Sequence, residues 1–119
     1  MALLTRQERG REAERAAAAY LERAGLAIVA RNWRCRHGEL DLVARDGATV
    51  VFVEVRARAS AGFGGARGSI DHRKRAKLVT TAGAYLARFR EPPPCRFDAV
   101  LLEGTVSPRI TWVRNAFEV

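Results

Sequence analysis

Four ionisable side chains interrupt a stretch that otherwise reads as β-structure. Between Gly38 and Arg58, GELDLVARDGATVVFVEVRAR sets Glu39, Asp41, Glu54 and Arg56 among Leu and Val residues. Strand side chains alternate faces, so Glu39, Asp41 and Val43 share one face of the first segment. Phe52, Glu54 and Arg56 share one face of the second. The Asp46-Gly47 pair between the segments is a strong hairpin signal. A two-residue loop there sets Glu39 opposite Glu54, with Asp41 on the diagonal. A four-residue loop sets Asp41 opposite Glu54. Opposed Cβ atoms lie ~5 Å apart and diagonal ones ~7–8 Å, so both registers keep the carboxylates within reach of one shared cation.

Adjacent carboxylates repel one another unless something positive joins them. A hard divalent ion such as Mg²⁺ takes oxygen ligands and keeps several waters. Arg56, two residues after Glu54, adds a fixed cation on the same face. A metal held by carboxylates beside a cation is the equipment of phosphodiester hydrolysis, in which water is activated and charge on the phosphorus centre is stabilised. The same spacing also fits an ion-pair cluster of Arg56 with Glu54 or Asp41 at a sheet edge.

The elements that must position these groups follow from periodicity. From about Thr5 to Arg23, Ala13, Ala17, Tyr20, Leu21 and Ala24 form one helical stripe, with Gly25 as its stop and Glu14 at its edge. Strands are expected over Leu26 to Trp33, Glu39 to Arg45 and Thr49 to Arg58. The segment SAGFGGARGS follows; it lacks the GK[ST] of an NTP-binding loop. Ile70 to about Arg90 reads as a second helix, with Leu78, Val79, Ala82, Tyr85, Leu86 and Phe89 on its apolar face and Pro92-Pro93-Pro94 ending it. Its first turns carry HRKRAK. Cations there oppose the helix dipole, so helix stability does not explain them, whereas phosphate contact does. Phe97 to Glu103 and Arg109 to Val113 complete the order αβββαββ, a small mixed α/β sheet covered by helices.

The chain has 119 residues, 48% hydrophobic and 29% charged, which suits a single globular domain, 1–119. Its net charge is +8, and Lys74 and Lys77 are its only lysines, so the excess is carried by Arg, whose planar fork suits phosphate. Cys35 and Cys95 are not spaced as a disulfide scaffold. Cys35 and His37 lack a second pair of zinc ligands. There is no apolar leader and no membrane-length run, so a cytoplasmic protein without a membrane partner is expected.

GELDLVA followed by VFVEVRAR, then FG, the basic helix with Lys74, RFDAV and NAFE resemble the small basic bacterial proteins of the YraN type. GREAERAAAAYL and ARNWR extend the resemblance over nearly the whole chain. It implies a restriction-endonuclease-like fold, similar to archaeal Holliday junction resolvases, with a PD-(D/E)xK nuclease core. On that pattern Asp41 and Glu54 are metal-binding and catalytic residues. Glu14 matches a first-helix glutamate near the metal, and Glu39 is auxiliary. Arg56 stands where the pattern has lysine, and an always-protonated Arg can stabilise charge but cannot act as a base. The implied cofactor is Mg²⁺ or Mn²⁺. The implied partner is DNA, including branched DNA, held by Arg58, Arg67, Arg73, Lys74 and Lys77, and a homodimer is expected by analogy. A non-cleaving nucleic-acid-binding module on the same fold is the alternative, as is an adaptor for an acidic protein.

Overall fold

The computed structural model describes residues 5–58, 70–104 and 106–118. Helix α1 (Arg6–Arg23) is followed by strands β1 (Ala27–Cys35), β2 (Gly38–Asp46) and β3 (Thr49–Arg58), helix α2 (His72–Leu86), and strands β4 (Cys95–Glu103) and β5 (Arg109–Phe117). The sheet order is β1-β2-β3-β4-β5. Every neighbouring pair is antiparallel except β3 and β4, which are parallel and joined through α2. This is the expected α/β order, an αβββαβ core extended by β5.

Sequence explains the layering. Val50 and Phe52 of β3 face a core built with Leu78, Ala82 and Tyr85 of α2. Val51 and Val53 face a second core built with Ala13, Ala17, Ala18 and Leu21 of α1. A central strand covered on both faces must be apolar at every position, which is why VVFV does not alternate with polar residues. Against that background a charged residue in β3 or β4 is conspicuous, and two are buried: Glu54 and Asp98.

Helix α1 starts with a reciprocal cap. The Thr5 hydroxyl accepts from the Glu8 N–H, and the Glu8 carboxylate accepts from the Thr5 N–H. Gly25, at φ 102°, ends the helix as anticipated. Helix α2 is shorter than its apolar pattern. Asp71 caps its first turn by accepting from the Lys74 N–H at 2.9 Å. At the other end Arg88 and Phe89 donate to carbonyls three residues back, so the chain tightens out of α-geometry after Leu86, before the prolines are reached. Phe89 still packs against the core, which is why periodicity alone extended the helix too far.

The buried Asp98 accounts for the RFDAV segment. It accepts from Arg96 Nε at 3.1 and 3.2 Å, Trp112 Nε1 at 2.9 Å and the Asn115 N–H at 3.0 Å. Arg96 reaches on to Asp46 at 2.9 Å. One carboxylate thus ties β4 to an irregular stretch of β5 and, through Arg96, to the β2–β3 turn. Replacing Asp98 by Ala strands a buried guanidinium, an indole N–H and an amide. Urea denaturation should show a loss of about 3 kcal/mol, the scale set by breaking a buried charge pair from one side. A loss below about 1 kcal/mol would show that water replaces these bonds.

Candidate metal and phosphate site

The hairpin turn sits one residue later than Asp46-Gly47. Asp46 pairs with Thr49, so the loop is Gly47-Ala48, with Gly47 at φ 61°. The ladder runs from there to Leu42 and Val53. Extended by one residue, it places Asp41 opposite Glu54, the arrangement that the sequence attached to a four-residue loop.

The β2–β3 pairing stops at that point. Beyond it β2 stays paired with β1 as far as Cys35 and Gly38, while β3 stays paired with β4 as far as Arg58 and Glu103. The sheet opens like a Y, and a backbone group in the fork needs a new partner. The Asp41 carboxylate supplies it, accepting from the Val55 N–H at 2.9 Å.

Strict alternation, expected on both strands, holds on β3 and fails on β2. Leu40 and Val43, an odd number of residues apart, pack in the same core, as do Ala30 and Trp33 on β1. Asn32, opposite Asp41 in the β1–β2 register, adopts a left-handed φ of 50° and absorbs the change of phase. Glu39, Asp41 and Glu54 still converge on one cavity, through this local break rather than through parity.

That cavity has a volume of about 220 Å³. Glu39, Asp41 and Glu54 form its acidic wall. Lys74 and Lys77 of α2 form its basic wall, with Leu78 and Thr81 between them. Gly38 lets β2 begin this close to α2: its φ is 151°, and a Cβ there would meet the Thr81 hydroxyl at 2.9 Å and the Lys77 stem at 3.2 Å. From the α1 side, Glu14 joins Glu39 and Asp41, and one carboxylate oxygen from each of the three lies within 4.8 Å of the others. Lys74 Nζ lies 3.1 Å from Glu54 Oε1, and Arg56 Nε lies 3.8 Å from the same oxygen.

The electrostatics follow from the crowding. Burial pushes the Asp41 carboxyl up to about 7, and the charge of Glu54 adds to the rise. The Val55 amide and Lys74 oppose it. Glu14 is also raised, first by burial and then by the charge of Asp41, while the Asn32 side chain lowers it by hydrogen bonding. An all-oxygen donor set whose members resist ionising together fits a hard divalent cation.

The structure therefore brings together Glu14, Glu39, Asp41, Glu54 and Lys74, with Lys77 on the opposite wall. Glu39, expected to be auxiliary, stands as close to the centre as Glu14. Arg58 ends β3 and Arg73 lies exposed on the first turn of α2, both away from the cavity wall, and Arg67 lies outside the described residues. Two site residues were not read as such from the sequence. Asn32, beside Glu14, had no signal. Lys74, taken only for a backbone contact, precedes Leu78 by four residues, which places it on the inward face of α2.

A carboxyl with a raised pKa makes the metal-free fold bind more protons than the unfolded chain. Stability should therefore fall as pH climbs from about 4 to about 7 and stay low above that. Asp41→Asn removes the titration and keeps an acceptor for Val55. Thermal melts without divalent ions should show this variant about 2–5 °C above the parent at pH 8, with no gain at pH 4. Parallel melting curves at all pH values would contradict the repulsion.

The family model described as uncharacterised protein family UPF0102 matches residues 13–102. A UPF0102 protein of Nitrosospira multiformis is 51% identical over 116 residues, covering 98% of each chain. One of Nitrosomonas europaea is 50% identical over 110 residues, 92% of this chain and 93% of its own. One of Pseudomonas aeruginosa is 50% identical over 118 residues, 94% of each.

Proposed function

We propose that this chain, which belongs to the uncharacterised protein family UPF0102, is a metal-dependent nuclease acting on DNA phosphodiesters. The family is the YraN-type group that its sequence resembles. The observation that carries the reading is the fork at Asp41 and Glu54. An opened ladder sets a carboxylate wall against a lysine wall across a cavity large enough for a phosphate and its sugar, but not for a base-paired duplex.

Asp41, Glu54 and Glu14 would hold the cation, with Glu39 beside them. Asp41 belongs both to the Glu14–Glu39 cluster and to the Glu54 pair, so its loss should cost most. A bound Mg²⁺ or Mn²⁺ lowers the pKa of coordinated water and neutralises charge on the phosphate. The chain's own residues do the rest. Lys77 draws the phosphate into the cavity, and Lys74 orients Glu54 through their 3.1 Å contact. Arg56, close behind Lys74 at the same oxygen, adds positive charge where the reacting phosphorus becomes more negative. Arg58, Arg67 and Arg73 hold the flanking backbone, which positions DNA without reading sequence. The net charge of +8 supports that partner.

Arg56 in the position of the nuclease lysine favours one second reading, a module that binds DNA without cutting it. One assay decides. Labelled duplex, single-stranded and four-way-junction DNA are incubated with the protein and Mg²⁺ or Mn²⁺. Cutting should depend on the metal and fall at least about 100-fold in Asp41→Ala and Glu54→Ala. Binding should weaken steeply with salt, with a log–log slope of about −3 to −4 for four backbone contacts. Binding that persists with no cutting under either metal would establish the second reading instead.

A further inference from the structure

Among the described residues two cations approach Glu54, and one of them, Lys74, lines the cavity. Lys74 forms part of its wall; Arg56 lies outside that wall and farther from the shared oxygen, 3.8 Å against 3.1 Å. Their attachments also differ. Arg56 belongs to β3 itself, two residues beyond Glu54, and its side chain is 29% exposed. Lys74 arrives from the opposite layer, on the first turn of α2. Its backbone is fixed there by the Asp71 cap, and Leu78, one turn on, is buried against the sheet.

Resting on the nuclease reading above, we infer that Lys74 is the catalytic cation of this site, the side chain that contacts the phosphodiester, in place of a lysine on β3. An ammonium group has three N–H donors. Glu54 takes one, which leaves two for a non-bridging phosphate oxygen and for water. Arg56 presents its Nε to the same carboxylate from the strand, so the pair holds Glu54 from both elements, and of the two Lys74 is the one that lines the cavity.

In the step itself, the water oxygen bonds to phosphorus and the bond from phosphorus to one bridging oxygen breaks. The electron pair leaves with that oxygen. It gains one proton by way of solvent, and the attacking water gives up one. Charge accumulates on the non-bridging oxygens as the water adds, and a fixed donor at 3 Å scale stabilises it without changing its own protonation. Lys77 differs. It is exposed, bears on the cavity rim through its stem near Gly38, and makes no ion pair with the carboxylates among those described. Its role is attraction rather than catalysis.

The composition supplies an unusually clean test, because Lys74 and Lys77 are the only lysines. Full-length Asp41→Asn protein, which cannot cut on the reading above, is labelled with ¹⁵N at its lysines, which keeps all three N–H donors of each ammonium in place. The two ε-amine signals are assigned with Lys74→Arg and Lys77→Arg. A single-stranded DNA dodecamer should move both. In the parent background Lys74→Ala should lower kcat about 100-fold or more with Kd changed less than about 3-fold, whereas Lys77→Ala should weaken binding about 3- to 10-fold. A Lys77 signal that moves while Lys74 stays fixed, with Lys74→Ala cutting at the parental rate, overturns the inference and leaves the nuclease reading standing. A Lys74 signal that moves in a chain whose parent cuts nothing retains Lys74 as the phosphate contact and overturns cleavage alone. Neither signal moving overturns both.

Discussion

The hydrogen bond from the Val55 N–H to Asp41 is the hinge on which the site turns. A central strand cannot lose its neighbour without leaving backbone groups unsatisfied, and β3 loses β2 at Val53. Asp41 resolves the problem locally by acting as the missing strand for one amide. The same carboxylate then faces Glu54 across the gap. Closing the fork already explains why an acid stands where packing alone would choose a hydrophobe, and the cation site proposed above would place a second task on the same side chain.

Around that bond the structure sets the carboxylates and the lysines in separate layers, with Arg56 beside Glu54 on β3. The carboxylates come from α1 and the β2–β3 fork; the lysines come from α2. Among the described residues the Lys74–Glu54 ion pair bridges them. The acidic wall alone is strained, as the raised Asp41 and Glu14 show. The basic wall alone would be a generic anion site. Lining one cavity of about 220 Å³, they suit a ligand that is itself divided: a cation with a phosphate attached. Elsewhere the same residue types serve the fold. Asp98 and Arg96 lock β4 to β5, and Arg75 donates to the Ile70 carbonyl at 2.9 Å and lies over the Phe117 ring. A basic run such as HRKRAK is therefore not uniform in purpose.

Much of this was legible in the residues. The limits of β3, the Gly25 stop and the two-sided core follow from alternation, helical period and turn chemistry; Glu39, Asp41 and Glu54 do meet, but through the break at Asn32 rather than the expected parity. The hairpin register did not, because Asp46-Gly47 advertises a turn without saying which residue closes it. The phase break at Asn32 did not either, since a non-glycine residue in left-handed conformation leaves no mark in a hydropathy pattern. The inward aim of Lys74 was available from its spacing to Leu78, but a cluster of four cations at a helix start does not show which of them face the sheet. The end of α2 was obscured for the opposite reason: Phe89 keeps the apolar rhythm after the hydrogen bonding has changed.

The central claim is that the fork at Asp41 and Glu54 is a divalent-cation site, and calorimetric titration with Mn²⁺ tests it most directly. Because the cation binds the ionised carboxylate, affinity should rise about tenfold per pH unit up to about 7 and then level off. It should fall at least about tenfold in Asp41→Asn. Equal affinity in parent and variant, or no binding heat at pH 8 with millimolar Mn²⁺, would contradict the claim and leave the fork as an ion-pair cluster that closes the sheet.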